Sequence, residues 1–244
     1  MSAAAHSMTI PAAPAETLDP AWHDLYRIAG WAAVLSAIFF PIQIAVFIVA
    51  PPPGFDPSAA NALSWLTYFH TSRFLALLDL DLLIIVDEVL AVPILLALYV
   101  ALRKVNRSWA TLGLVFGLLG VAAYFSSSPT IAMMALSDQY AAAAGEAARA
   151  ASLAAAQVLL ANYQGTAFHA FYVLGSLAPI LLCAVMLRSH IFDRRIAILG
   201  IVANAVALGL YIPVIGVAVS VFSVVLLEVW NILLARRLLR PQLS

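Results

Sequence analysis

The chain has 244 residues, 64% of them hydrophobic and only 10% charged, with twelve basic and twelve acidic side chains. A soluble domain is about half apolar and about a quarter charged, so too few polar groups are present to coat a water-soluble globule. Zero formal net charge offers no footprint for a nucleic-acid partner. The single cysteine, Cys183, excludes an intrachain disulfide and a cysteine-based metal site and reads as a small buried hydrophobe.

The apolar residues fall in long blocks, each near the roughly 20 residues that cross a bilayer as a helix. Lipid leaves no partner for a free backbone group, so a spanning chain is either helical or a closed barrel. Barrel strands would read as alternating segments of about 10 residues. These blocks are continuously apolar, and the expected fold class is all-α: a polytopic bundle of six transmembrane helices.

In chain order, residues 1–26 carry no Lys or Arg but do carry Glu16, Asp19 and Asp24. A secretory leader needs a basic start and a short apolar core. This Ala- and Pro-rich stretch reads instead as a flexible cytoplasmic tail, closed by Trp22 and Tyr26 where interfacial aromatics belong. Residues 27–240 read as one domain with spans at about 28–50, 74–102, 109–135, 165–187, 195–212 and 214–237. Pro51 to Pro53 end the first span sharply, because a proline run cannot continue a helix. The segments 51–73 and 137–164 are expected on the outer side. The second is Ala-rich and is expected as a helix on the outer surface or an outward extension of span four, with an interruption at Gly165. Arg27, Arg103, Lys104, Arg107, Arg188, Arg194, Arg195, Arg236, Arg237 and Arg240 fall on one side of a six-span arrangement, leaving only Arg73 and Arg149 on the other. The positive-inside rule puts the ten in the cytoplasm, with both termini.

Span two is unusual. It carries Asp79, Asp81, Asp87 and Glu88, and span six adds Glu228. A carboxylate at bilayer depth costs roughly 2.5 to 3.5 kcal/mol on insertion scales, so these groups need neutralisation, water or partners. At about 1.5 Å rise per residue, Asp79 and Asp81 lie roughly 8 to 11 Å from the outer end, level with Gln43, His169, Tyr172 and Asn204. Asp87, Glu88 and Glu228 lie about 20 Å deep on the same rise. Asp81 and Glu88, seven residues apart, share a helix face. Asp79 and Asp87 fall on other faces, so all four meet only if the helix bends, for which Pro93 is the candidate. Span two should be an interior helix.

These groups are candidates for binding an ion, proton or small solute, with Gln43, Tyr124, Tyr172, Asn204 and Asn231 as supporting polar groups. The competing reading is a set of interhelical hydrogen bonds. His169 could relay protons, but no metal-binding spacing such as H-E-x-x-H accompanies it, and no metal site or cofactor is expected. Ser126 to Ser128 precede Pro129, where serines more often satisfy freed backbone groups than form a hydrolase triad. No catalytic residue is assigned. Gly113, Gly117 and Gly120 permit close helix approach, inside the bundle or between copies.

The stretches Leu77-Leu-Asp-Leu-Asp-Leu-Leu83, Ala97-Leu-Tyr-Val-Ala-Leu-Arg103, Leu136-Ser-Asp-Gln-Tyr140, Gly165-Thr-Ala-Phe168, Val185-Met-Leu-Arg-Ser189 and Trp230-Asn-Ile-Leu-Leu-Ala-Arg236 together resemble a bacterial multi-pass family, domain of unknown function DUF4386. The resemblance covers nearly all the chain after residue 27. It implies a bacterial cytoplasmic-membrane protein and supplies no activity or site residues. The expected roles are a small transporter or permeation protein for protons, cations or a small solute, or else a non-catalytic assembly, auxiliary or sensor protein; a membrane-embedded hydrolase or metalloenzyme ranks below both.

Overall fold

Helix α1, His23–Val49, follows a 3-10 turn that Asp19 initiates by accepting the Ala21 N–H at 3.1 Å. The Ala21 amide, aided by Lys104, holds the Asp19 carboxyl below its usual range. The proline run at residues 51–53 stops α1, and the chain resumes in α2, Ala59–Thr71, whose first turn is capped by Ser58. Helices α3, Arg73–Asp79, and α4, Leu82–Leu102, follow. Asn106 caps α5, Arg107–Ser127, by accepting the Trp109 N–H at 3.1 Å. Then come α6, Thr130–Ala142, α7, Glu146–Tyr163, and α8, Thr166–Met186. Asp193 caps α9, Arg194–Ala207, and a 3-10 turn, Leu208–Tyr211, followed by a tight turn with Val214 at φ 71° leads into α10, Gly216–Leu239. The computed structural model describes residues 18–240, and no strand occurs among them. The tail expected over 1–26 lies outside the described residues up to position 17.

Six helical segments are long and apolar enough to cross a membrane: α1, α4, α5 running into α6, α7 running into α8, α9 with its 3-10 turn, and α10. The six spanning helices pack in chain order as a ring. Helix α1 packs on α4, α4 on α5, α5 on α8, α8 on α9 and α9 on α10, and α10 closes back on α1. The glycine spacing in α5 serves this ring. A Cβ at Gly113 would meet Leu182 and the Ala178 carbonyl of α8, one at Gly120 would come within 3.1 Å of the Gly175 backbone, and one at Gly117 would meet Leu95 of α4. The small-residue face is thus spent inside the chain, on α8 and α4.

One end of the ring carries the basic residues. Lys104 reaches Asp19 at 3.4 Å, Arg103 lies over the Trp22 ring at 5.6 Å, and Arg237 donates to the Ile191 carbonyl at 2.6 Å. The main core lies in this half, from Tyr26 to Ala33 on α1, Ile94 to Leu102 on α4, Ala178 to Met186 on α8 and Trp230 to Leu238 on α10. Cys183 is buried there, its Sγ facing Gly200.

The opposite end carries a cap made of α2, α3, α6 and α7, with a core of its own centred on Trp65, Leu66, Phe69, Met133 and Leu160. Polar contacts tie its parts together. Trp65 donates its indole N–H to the Gly54 carbonyl at 3.0 Å, Ser137 its hydroxyl to Leu66 at 2.6 Å, and Arg73 pairs with Asp138. Burial, followed by a hydrogen bond to Asp79, pushes the Tyr68 phenol up to about 12.

Two helices expected as continuous are broken. The stretch 74–102 divides at Leu80–Asp81, well before Pro93, which sits inside α4. The stretch 109–135 divides at Ser128–Pro129, and the remainder turns into the cap as α6. Proline at 129 explains the second break, since its ring cannot sit in a helix interior. No Gly or Pro explains the first; it is held by tertiary contacts described below.

Candidate intramembrane cavity

The half of the ring next to the cap is loosely filled and surrounds a cavity of about 430 Å³. All six spanning helices line it: Ser36 and Phe40 from α1, Asp81 at the start of α4, Tyr124 from α5, Phe171 and Tyr172 from α8, Asn204 from α9, and Ser220 to Asn231 from α10. Asp87 and Glu88 of α4 and Glu228 of α10 complete the acidic lining, and among the described residues no Lys, Arg or His contributes to it.

The break in span two places Asp81. Its backbone is left-handed, φ 70° and ψ 25°, a conformation that Asp tolerates better than most residues. The carbonyls freed by the break are taken up from elsewhere. Gln43 donates to the Leu78 carbonyl at 2.8 Å, and the Thr130 hydroxyl donates to the Leu80 carbonyl. Because the helix restarts after Asp81, Asp81, Asp87 and Glu88 all reach the cavity while Asp79 is turned into the cap. There Asp79 is fully buried and accepts the Tyr68 hydroxyl at 2.6 Å.

Asp81 is 3% exposed and accepts a hydrogen bond from Tyr163, at the junction of cap helix α7 with α8. Tyr124 brings its buried hydroxyl to the same carboxylate, and no donor among the described residues reaches its oxygen. Asp87 accepts the Ser36 hydroxyl. One buried oxygen of Glu228 has no partner. Tyr172 pairs with Ser220, and Asn204 donates back to the Gly200 carbonyl of its own helix at 2.8 Å, leaving its carbonyl oxygen for other partners. Asn231 also lines the cavity.

Thus Asp81, Asp87, Glu88, Glu228, Tyr124, Tyr172, Asn204 and Asn231 share one cavity, while Asp79, Gln43 and His169 do not line it. Gln43 is buried and structural, holding the helix break. His169 is exposed and pairs with the Tyr211 hydroxyl at 3.0 Å. The three serines before Pro129 stay local: Ser126 and Ser127 donate to the carbonyls of Ala122 and Tyr124, and Ser128 pairs with Thr130. Among the described residues, no three His, Cys, Asp or Glu side chains converge as metal ligands.

Sequence reasoning does not single out Tyr163, Ser36 or Thr130. Ser36 stands seven residues before Gln43 on the same face of α1, a spacing that marks a polar stripe facing span two. Tyr163 lies at a chain break, and nothing local signals that it turns inward.

The ring of six apolar helices around an acidic cavity defines a multi-pass helical membrane protein with polar groups gathered inside the bundle. The chain belongs to the family described as "Domain of unknown function (DUF4386)", whose model matches residues 25–239. No curated protein and no solved structure matches the chain significantly.

Proposed function

We propose that this protein is a small transporter or permeation protein of the bacterial cytoplasmic membrane, acting on a proton, a cation or a small cationic solute, with both termini in the cytoplasm. One observation supports it above the others: four carboxylates from α4 and α10 line a single cavity to which no basic side chain among the described residues contributes. Intramembrane carboxylates are costly, and a set used only as interhelical glue would be paired with donors. One buried oxygen of Glu228 has no hydrogen-bond partner among the described residues, and an entering cation would supply the missing charge. Orientation rests on the ten basic residues gathered at the end remote from the cap.

Flux into proteoliposomes tests this reading. Purified protein should carry protons, sodium or potassium faster than protein-free vesicles, and Asp81→Asn combined with Glu88→Gln should reduce that flux by roughly tenfold or more, the change that losing about 1.4 kcal/mol produces. Unchanged flux in the double variant would overturn the assignment.

A sensor or auxiliary role is the second reading, supported by the cap, which has its own core and touches the cavity through Tyr163 and Asp81. A stoichiometric protein partner retained through purification would favour it.

A further inference from the structure

We infer that the cavity takes a protonated primary or secondary amine carrying an apolar, aromatic-sized body. The inference rests on the reading of the cavity as a cation site and narrows its chemistry. Three independent features of the lining converge on this class.

The first is shape. Asp81, Asp87, Glu88 and Glu228 are spread over two helices, and no three of them converge as ligands to one point. A bare inorganic cation needs several oxygens at one centre, whereas an extended organic ion does not. The volume of about 430 Å³ lies in the range that holds a small organic ligand.

The second is the character of the walls. Between the carboxylates stand Phe40, Phe168, Phe171, Tyr172 and several aliphatic side chains. Tyr124 and Phe171 lie with ring centroids 4.9 Å apart, and Phe168 and Tyr172 at 5.8 Å. Such walls reward an apolar body by burial, and aromatic faces attract a cation.

The third is the Tyr124 hydroxyl. Tyr124 is only 2% exposed, lines the cavity with its hydroxyl beside the Asp81 carboxylate, and no donor among the described residues reaches its oxygen. A buried phenol oxygen that donates to a carboxylate still has lone pairs to accept a hydrogen bond. An ammonium N–H can donate to this oxygen and to Asp81 together. A quaternary cation has no hydrogen to give, which is why the class is restricted to amines that keep an N–H.

Calorimetric titration of the full chain in lipid nanodiscs with dibenzylamine, cationic at neutral pH, tests the inference after subtraction of empty nanodiscs. Saturable binding of one equivalent is expected. Dibenzyl ether, alike in shape but without charge or N–H, should not compete. Asp81→Asn combined with Glu88→Gln should weaken binding by roughly tenfold or more, and Tyr124→Phe by a few-fold. Equal competition by the ether would overturn the inference without reference to any variant, as would unchanged affinity in a well-folded double variant. Carboxylate-dependent proton or metal-ion flux without dibenzylamine binding would overturn the inference alone. Binding without such flux would support it and remove only the flux reading above.

Discussion

At the scale of single residues, Asp81 bears two constraints at once. It is buried, and its backbone is left-handed. A left-handed residue costs roughly 1–2 kcal/mol for most L side chains and least for Asp and Asn. Its carboxylate is held by Tyr163 and stands beside the Tyr124 hydroxyl. The backbone and side-chain demands can be separated by substitution. Asp81→Asn should unfold in detergent at nearly the wild-type temperature, because Asn accepts the same backbone and can still take the Tyr163 hydrogen bond. Asp81→Val should be destabilised by about 2–3 kcal/mol, since a β-branched residue fits the left-handed region poorly. Thermal unfolding in which the two variants rank the other way would contradict the role given to this backbone.

At the scale of elements, the decisive feature is the interruption of span two. The two half-helices are joined through contacts from α1 and α6: Gln43 on the Leu78 carbonyl and Thr130 on the Leu80 carbonyl. Thr130→Val keeps the shape and removes the donor. It should cost about 1–3 kcal/mol, the penalty of leaving a buried carbonyl unpaired, read as a lower unfolding temperature. An unchanged temperature would show that the break holds itself. This break also marks where the sequence ceases to be legible. The proline run after α1 announces its own role, whereas Pro129 lies inside an apolar stretch that reads as one span to 135, and the glycines of α5 mark close approach without saying to which helix. Residues 74–102 contain Pro93 but no Gly, and Pro93 is absorbed within α4. The interruption falls between Leu80 and Asp81 because the distant side chains Gln43 and Thr130 donate to backbone carbonyls there. Helical periodicity, which assumes one axis through 74–102, consequently puts Asp79 and Asp87 on other faces than Asp81; the break lets Asp87 join the cavity and sends Asp79 to the cap.

At the scale of the molecule, hydropathy alone yields six spanning segments, because lipid demands long apolar helices and little else satisfies the composition. In the ring, the neighbours α4–α5 and α8–α9 follow from short connections at the basic end and α9–α10 from a short turn at the other, while α1 and α10 close it by packing alone. The cap is less legible. Residues 51–73 and 137–164 read as outer segments and most of α3 and α6 as the outer ends of spans two and three, and only the fold shows Trp65, Phe69, Met133 and Leu160 meeting in a second core. The consequence for function is an asymmetric interior, tightly packed where the basic residues lie and open beneath the cap, with the acidic side chains in the open half.

The central claim is that these carboxylates share one cavity that a cation can enter. Mass-spectrometric mapping of adducts formed by a lipid-soluble carbodiimide, on the protein in nanodiscs, tests it most directly. Adducts should form at Asp81, Asp87, Glu88 and Glu228 and fall together when dibenzylamine is present, while exposed Asp24 and Asp193 react with a water-soluble carbodiimide regardless of the amine. Adducts on the cavity carboxylates that are indifferent to the amine, or that respond to it one residue at a time, would contradict the account.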